Sequence, residues 1–276
     1  MKKQSRLMKL LTIGITGAFL LTGCGGGGGA YSDYASSYNR VSAQGGIDAN
    51  LTATLTMDGQ TNEYSGNFKV DTANNLLYYE MGSDGEKTVQ FSDGTYLYTE
   101  QNGVRSKYAL DGAKKEPQRS DKTGTDSTPP TFDTSGFLQD FSSFLDAGNV
   151  KEMGLLDPVA EAAVTKVTKE GDVYTLEISD SIVESFLNSM ARNHNGEGDS
   201  VQVSDLKNFT YQATVKDGFV TSVTYGGTMK VSVPETLMSS GSAADFDLDF
   251  GITVDYNNPG EAVTITLPST DGYTEV

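Results

Sequence analysis

The sequence predicts an α+β fold: one strongly curved antiparallel sheet, a half-barrel of about ten strands, covered by two or three helices. Three observations carry that prediction. Between Leu51 and Leu110 short alternating segments are separated by turn signals about every nine residues. Near the C-terminal end, longer segments place an apolar residue at every second position. Only a few stretches show helical spacing, and two of them carry phenylalanines. A sheet this wide must curl, and its apolar face must be covered. The phenylalanine-bearing helices are the cover on offer.

The first stretch is not part of the fold. Lys2, Lys3, Arg6 and Lys9 form a basic region without acids, followed by twelve uncharged residues, Leu10 to Leu21. That run falls short of the about 20 apolar residues a membrane-spanning helix needs, so residues 1–23 read as an export signal. Leu21-Thr22-Gly23-Cys24 comes next, with the only cysteine of the chain, and then Gly25 to Gly29. The glycines suit a flexible tether. They follow no strand and lack a Lys-Ser/Thr ending, so they are no phosphate loop. The tetrapeptide resembles the lipobox of bacterial lipoprotein precursors. That resemblance implies a diacylglycerol on the Cys24 thiolate, cleavage before it, and a lipid anchor at the extracytoplasmic face of the cell membrane. Two acyl chains suffice for stable anchoring, whereas one is marginal. The other reading is an ordinary signal peptide whose removal leaves an unanchored protein.

Without residues 1–23 the chain keeps 16 basic and all 37 acidic residues, and its net charge moves from −17 to −21. Nucleic acid is excluded as a partner, since phosphate binding needs a basic face, and so is charge-driven adhesion to anionic headgroups. With Cys24 lipidated there is neither a disulfide nor a thiolate metal site.

Residues 24–46 comprise the tether and an N-terminal helix near 31–44, where Tyr31, Tyr34, Tyr38 and Val41 share one face. A continuation of the tether is the competing reading there. Residues 47–276 form the folded domain. Leu51, Ala53, Leu55 and Met57 alternate with threonines, and Asp58-Gly59 turns the chain back through Tyr64, Phe68 and Val70. The pattern continues over Leu76–Met81, Thr88–Phe91, Thr95–Thr99 and Val104–Leu110, a meander of antiparallel strands. Residues 111–134, rich in Pro, Ser, Thr and Asp, read as a solvated flexible loop. A helix over about 135–147 gathers Phe137, Leu138, Phe141, Phe144 and Leu145 on one side. Strands Val159–Lys169 and Val173–Ser179 follow. A further helix starts at Ser181, where Ser181 and Glu184 match a capping box. It carries Ile182, Val183, Phe186, Leu187 and Met190 on one face. Four strands close the chain, through Phe209–Val215, Met229–Val233, Phe246–Tyr256 and Val263–Leu267.

This order of helix, meander, helix, two strands, helix and long strands resembles the lipoprotein-sorting half-barrel fold. That family includes the LolA and LolB carriers and related Gram-positive and mycobacterial lipoproteins. The ending from Val263 to Tyr273 is similar to the tails of the Gram-positive members. The resemblance implies a hydrophobic cavity between sheet and helices that holds acyl chains, although no functional residue of the carriers matches a position here.

No catalytic set is present, and a non-enzymatic protein without cofactor or metal is expected. His194, the only histidine, follows a helical segment and suits the helix dipole there. Asp245, Asp247 and Asp249 resemble the opening of a calcium loop. Phe250 and Tyr256 stand where its glycine and glutamate belong, so the three read as the wet face of a strand. Weak calcium binding by surface acids stays open. The expected hydrophobic ligand site is Phe137, Phe141, Phe144, Phe186, Leu187 and Met190, with a lipid as ligand. The same side chains also read as plain core. The protein would then be an envelope interaction or scaffold module with no small-molecule ligand.

Overall fold

The computed structural model describes residues 29–110 except 58, 72, 84–85 and 102, then 159, 161–195, 201–235 and 243–275, without the side chains of 86, 186 and 189–195. The expected export signal, Cys24, and the loop and helix expected at 111–134 and 135–147 lie outside the described residues. Among those described there are twelve strands and two α-helices.

Helix α1 (Gly29–Asn39) leads into β1 (Gly46–Met57), β2 (Gln60–Asp71), β3 (Leu76–Ser83), β4 (Glu86–Ser92), β5 (Tyr96–Gln101) and β6 (Val104–Ala109). A 3-10 turn, Glu161–Ala163, precedes β7 (Val164–Glu170) and β8 (Val173–Ile178). Helix α2 (Asp180–Asn195), β9 (Gln202–Lys216), β10 (Phe219–Val233), β11 (Ala244–Tyr256) and β12 (Thr274–Glu275) complete the order. All twelve strands form one unclosed, curved sheet in the order β12-β6-β5-β4-β3-β2-β1-β11-β10-β9-β8-β7. Two antiparallel meanders, β1–β6 and β7–β11, meet along β1 and β11, where Leu51 faces Val254 and Leu55 faces Phe250.

Local chemistry explains the turns. Asp217 and Gly218 both have positive φ, 54° and 80°, the geometry that lets a two-residue turn follow the strand twist. Between β2 and β3 the Asp71 carboxylate accepts from the amides of Ala73 and Asn74, both at 3.1 Å. Gly66 is required inside β2, because a Cβ there would overlap the Glu80 carbonyl of β3.

Strand β9 is bent. Its register against β10 shifts between Gly226 and Thr228 and again between Thr228 and Lys230, and Asp205 and Asn208 take left-handed backbone angles. Helix α2 replaces the ladder bonds lost there. Asn188 accepts from the Val203 amide at 2.6 Å and donates to its carbonyl at 2.7 Å, while Glu184 accepts from the Leu206 amide at 2.6 Å. The capping box expected at Ser181 and Glu184 is therefore corrected. Ser179 begins the helix through its carbonyl, which accepts from Ile182 and Val183, and the Glu184 carboxylate is spent on the bulged strand.

The strand expected at Val263–Leu267 is also corrected. This segment has no ladder partner and crosses the sheet instead of joining it. Asn257 donates its backbone amide to the Asp48 carbonyl at 2.7 Å, Gly260 donates to Val41 at 3.0 Å, and Ile265 is buried. Tyr273 then packs edge-on against Phe91 and Tyr98, with ring centroids 5.7 and 5.2 Å away. Finally Thr274 and Glu275 pair with Ser106 and Lys107, a short parallel addition to the edge of β6. The side-chain alternation at 263–267 arises because a strap lying across a sheet also buries one side and wets the other. The helix expected at 31–44 stops at Asn39, and hydrogen-bonded turns carry the chain on to Gly45.

Candidate functional site

Cross-strand register fixes which side chains share a face of the sheet. One face, termed inner here, carries Ile47, Ala49, Leu51, Ala53, Leu55 and Met57 of β1. Following the partners outward, it carries Tyr64, Phe68 and Val70 of β2, and Leu77, Tyr79 and Met81 of β3. It continues through Thr88, Gln90 and Ser92 of β4, Leu97, Thr99 and Gln101 of β5, and Val104, Ser106 and Tyr108 of β6. In the other direction it carries Phe246 to Tyr256 at every second place, Val223, Tyr225, Met229 and Val231 of β10, and Tyr211 and Ala213 of β9. From β2 to β6 the only ionisable acid or base at an inner position is Glu86, at the hairpin end.

The outer face of the same meander is charged. Asp48 pairs with Lys69 at 2.6 Å, Glu80 with Lys87 at 2.6 Å, Glu100 with Arg105 at 3.1 Å, and Lys107 with Glu275 at 3.2 Å. These partly exposed pairs each contribute only about 0.2–1 kcal/mol, but they mark unambiguously which face meets water. Burial and the adjoining Glu80, which accepts its proton, push the Tyr78 hydroxyl up to about 12.

The inner face is built in two ways. Helix α1 packs on β7, β9 and β10, and α2 on β9. Under α1 lies a tyrosine cluster. Tyr34 is 0% exposed, its hydroxyl lies 3.0 Å from that of Tyr211, and it accepts from the Val159 amide at 3.2 Å. Tyr31 donates to the Val159 carbonyl at 2.7 Å, and the Tyr38 and Tyr256 hydroxyls are 2.8 Å apart. The Tyr34 ring stands edge-on to Tyr38 and Tyr211, and Tyr211 stacks on Tyr225 at 6.2 Å. Burial drives the hydroxyls of Tyr34, Tyr211, Tyr225 and Tyr256 far above the usual phenol range. This half is a filled core.

Across β2–β6 the inner face reads differently. One cross-strand row runs Phe68, Tyr79, Gln90, Thr99 and Ser106. Gln90 is 3% and Thr99 2% exposed, and the Tyr79 hydroxyl is buried although part of the residue reaches the surface. The Tyr79 hydroxyl and the Thr99 Oγ1 have no hydrogen-bond partner among the described residues. Burial alone raises the Tyr79 hydroxyl well above the ordinary phenol value. The neighbouring Ser92 hydroxyl, by contrast, accepts from the Gly94 amide at 3.0 Å.

Of the residues expected to line a ligand site, Leu187 is buried in the core cluster with Val183, on the face α2 turns to the sheet. Phe137, Phe141 and Phe144, the side chains of Phe186 and Met190, and Cys24, the expected point of lipid attachment, lie outside the described residues. Asp245, Asp247 and Asp249 are all exposed on β11, and among the described residues no His, Cys, Asp or Glu cluster could hold a metal. No described helix is long and apolar enough to cross a membrane. The Tyr79–Gln90–Thr99 row escaped sequence reasoning, although each residue falls in an expected strand. Their only signal is polar character at the parity of Leu77, Met81 and Leu97.

No family model matches the chain, and no curated protein does. Among solved structures it is similar to a DUF1329 family protein from Desulfovibrio piger, at 9% identity and a TM-score of 0.24, covering 86% of this chain and 95% of that one. It is also similar to a LolA superfamily protein from Nitrosomonas europaea, at 10% identity and a TM-score of 0.23, covering 83% and 91%.

Proposed function

We infer that this chain is an exported, lipid-anchored, non-enzymatic protein of the bacterial cell envelope that holds a hydrophobic ligand, a lipid, against the inner face of β2–β6. One observation carries the reading: from β1 to β6 that face has a single Asp, Glu, Lys or Arg position, Glu86 at the hairpin end, while its reverse is lined with ion pairs. Phe68 and Tyr79 keep part of their surface open within it. Acyl chains would lie along Phe68, Met81 and Leu97. Phe137, Phe141, Phe144, Phe186 and Met190, whose spacing predicts helical stripes, would complete the lining, and passage of a lipid would require those helices to shift. Diacylglycerol on Cys24 would hold the domain beside the membrane that supplies it.

Native mass spectrometry of residues 30–276, which lack Cys24, tests the reading. It expects a reproducible adduct of lipid mass that is lost in the Phe141→Gln, Phe186→Gln variant. A bare mass that persists with added lipid would sink it. The second reading, an interaction module with a filled core, is favoured by one specific feature, the tyrosine packing beneath α1. It gains the bare-mass outcome.

A further inference from the structure

We propose that the Tyr79–Gln90–Thr99 row is the polar end of the ligand site, and that it takes an uncharged, hydrogen-bonding head group such as the glycerol ester of an acylglycerol. The inference rests on the reading of the inner face as a lipid-holding surface and adds what kind of lipid that surface selects.

A hydroxyl removed from water without a new partner is unfavourable, so buried hydroxyls are normally satisfied. Two unsatisfied ones on one row of one sheet, with Gln90 between them in the ladder, are a concentration of unused hydrogen-bonding capacity. Adjacent strands lie about 4.8 Å apart, so Tyr79 and Thr99 are separated at the backbone by about 10 Å, the scale of a glycerol with its ester groups. Leu77, Leu97 and Met81 occupy the rows on either side, so the polar spot is bordered by buried apolar side chains against which acyl chains would pack. Hydroxyls and an amide both donate and accept, which suits esters and alcohols. With Glu86 the one Asp, Glu, Lys or Arg at an inner position of β2–β6, no inner cation there compensates a phosphate. Burying a phosphate unpaired is far costlier than burying a neutral head group.

The test uses the full chain with Cys24→Ser, so that no anchor lipid competes. Dioctanoylglycerol, dioctanoyl phosphatidylglycerol and hexadecane are titrated into it and into the Tyr79→Phe, Thr99→Val double variant. Expected is preference for dioctanoylglycerol over the phosphate-bearing analogue. The double variant should bind dioctanoylglycerol roughly tenfold more weakly, while hexadecane binding stays unchanged. Its Tm without ligand should equal or exceed that of the parent, because removing an unsatisfied hydroxyl within the same shape relieves a cost. A lowered Tm with unchanged dioctanoylglycerol affinity would assign the hydroxyls to structure and overturn the proposal. So would equal binding of all three probes, which leaves lipid holding intact and the head-group row refuted. If none of the probes binds the parent, lipid holding itself fails.

Discussion

Beneath α1, the hydroxyls of Tyr34 and Tyr211 and of Tyr38 and Tyr256 find one another, whereas on the same face of β3–β5 the buried hydroxyls of Tyr79 and Thr99 have no partner among the described residues. Both regions belong to one sheet and one register, and the ion pairs of the β1–β6 meander lie on the opposite face. The difference lies in what each half is built to meet. Helix α1 brings matching tyrosines, so its half closes on itself as a core. The β2–β6 meander presents polar groups that the described chain does not answer. On the proposed reading a core and a ligand site occupy one continuous surface and differ in whether their buried hydroxyls are paired.

The contrast breaks most severely at Tyr34. Truncation to alanine leaves a cavity beside Tyr174 and Tyr38 and strips the Tyr211 hydroxyl and the Val159 amide of a partner. A stability loss of about 3–5 kcal/mol is expected from chemical denaturation. Native-state hydrogen exchange should show protection lost first in α1 and β8–β11, with β3–β5 holding longer. Equal loss in both halves would mean that they are one cooperative unit, and the division drawn here would fail.

Tyr273 probes the outer side of the other half. It covers Phe91 and Tyr98, and the Arg105 guanidinium lies 5.6 Å from its ring centroid. Tyr273→Ala should cost about 2 kcal/mol, from two edge-on ring contacts and a cation–π contact. The loss should appear as faster exchange in β4–β6 with β9–β11 unchanged. Slower proteolysis of the tail in the variant would contradict its role as a strap.

Much of the strand inventory is legible in sequence because half-buried strands alternate with period two, and Leu51–Met57 or Phe246–Tyr256 can hardly be read otherwise. The union of the two meanders along β1 and β11 is not legible. It depends on which apolar strand finds which, and residues about 200 apart carry no local sign of it. The same limit hid the tail, where Val263, Ile265 and Leu267 mimic a strand, and the fate of Glu184, whose partner is the bulged Leu206 rather than its own helix. Leu187 was legible as apolar and helix-borne, yet spacing does not say whether such a face meets a ligand or a core. Tyr79, Gln90 and Thr99 become a group only once β3, β4 and β5 are in register.

The smallest effect separates the halves by pH. Asp93 opens the turn between β4 and β5. Burial tends to raise its carboxyl, but the amides of Tyr96 and Thr95, both at 2.8 Å, and the Tyr98 hydroxyl at 2.9 Å outweigh it and hold the pKa below the ordinary value. A depressed carboxylate stabilises the fold above its unfolded pKa, about 3.9, and loses that contribution as pH falls through the lower folded value. Asp93→Asn should therefore cost about 1 kcal/mol at pH 7, given how much water the turn meets, and the gap to the parent should narrow toward pH 3. The tyrosines under α1 behave oppositely. Their raised hydroxyls favour the fold below about pH 10, and that contribution falls away only in alkali. Exchange measured across pH should thus show acid loosening β4–β5 while α1 stays closed. If α1 opens at the same acid pH, the filled half is not independent of the meander, and a ligand held on β2–β6 would be felt throughout the sheet.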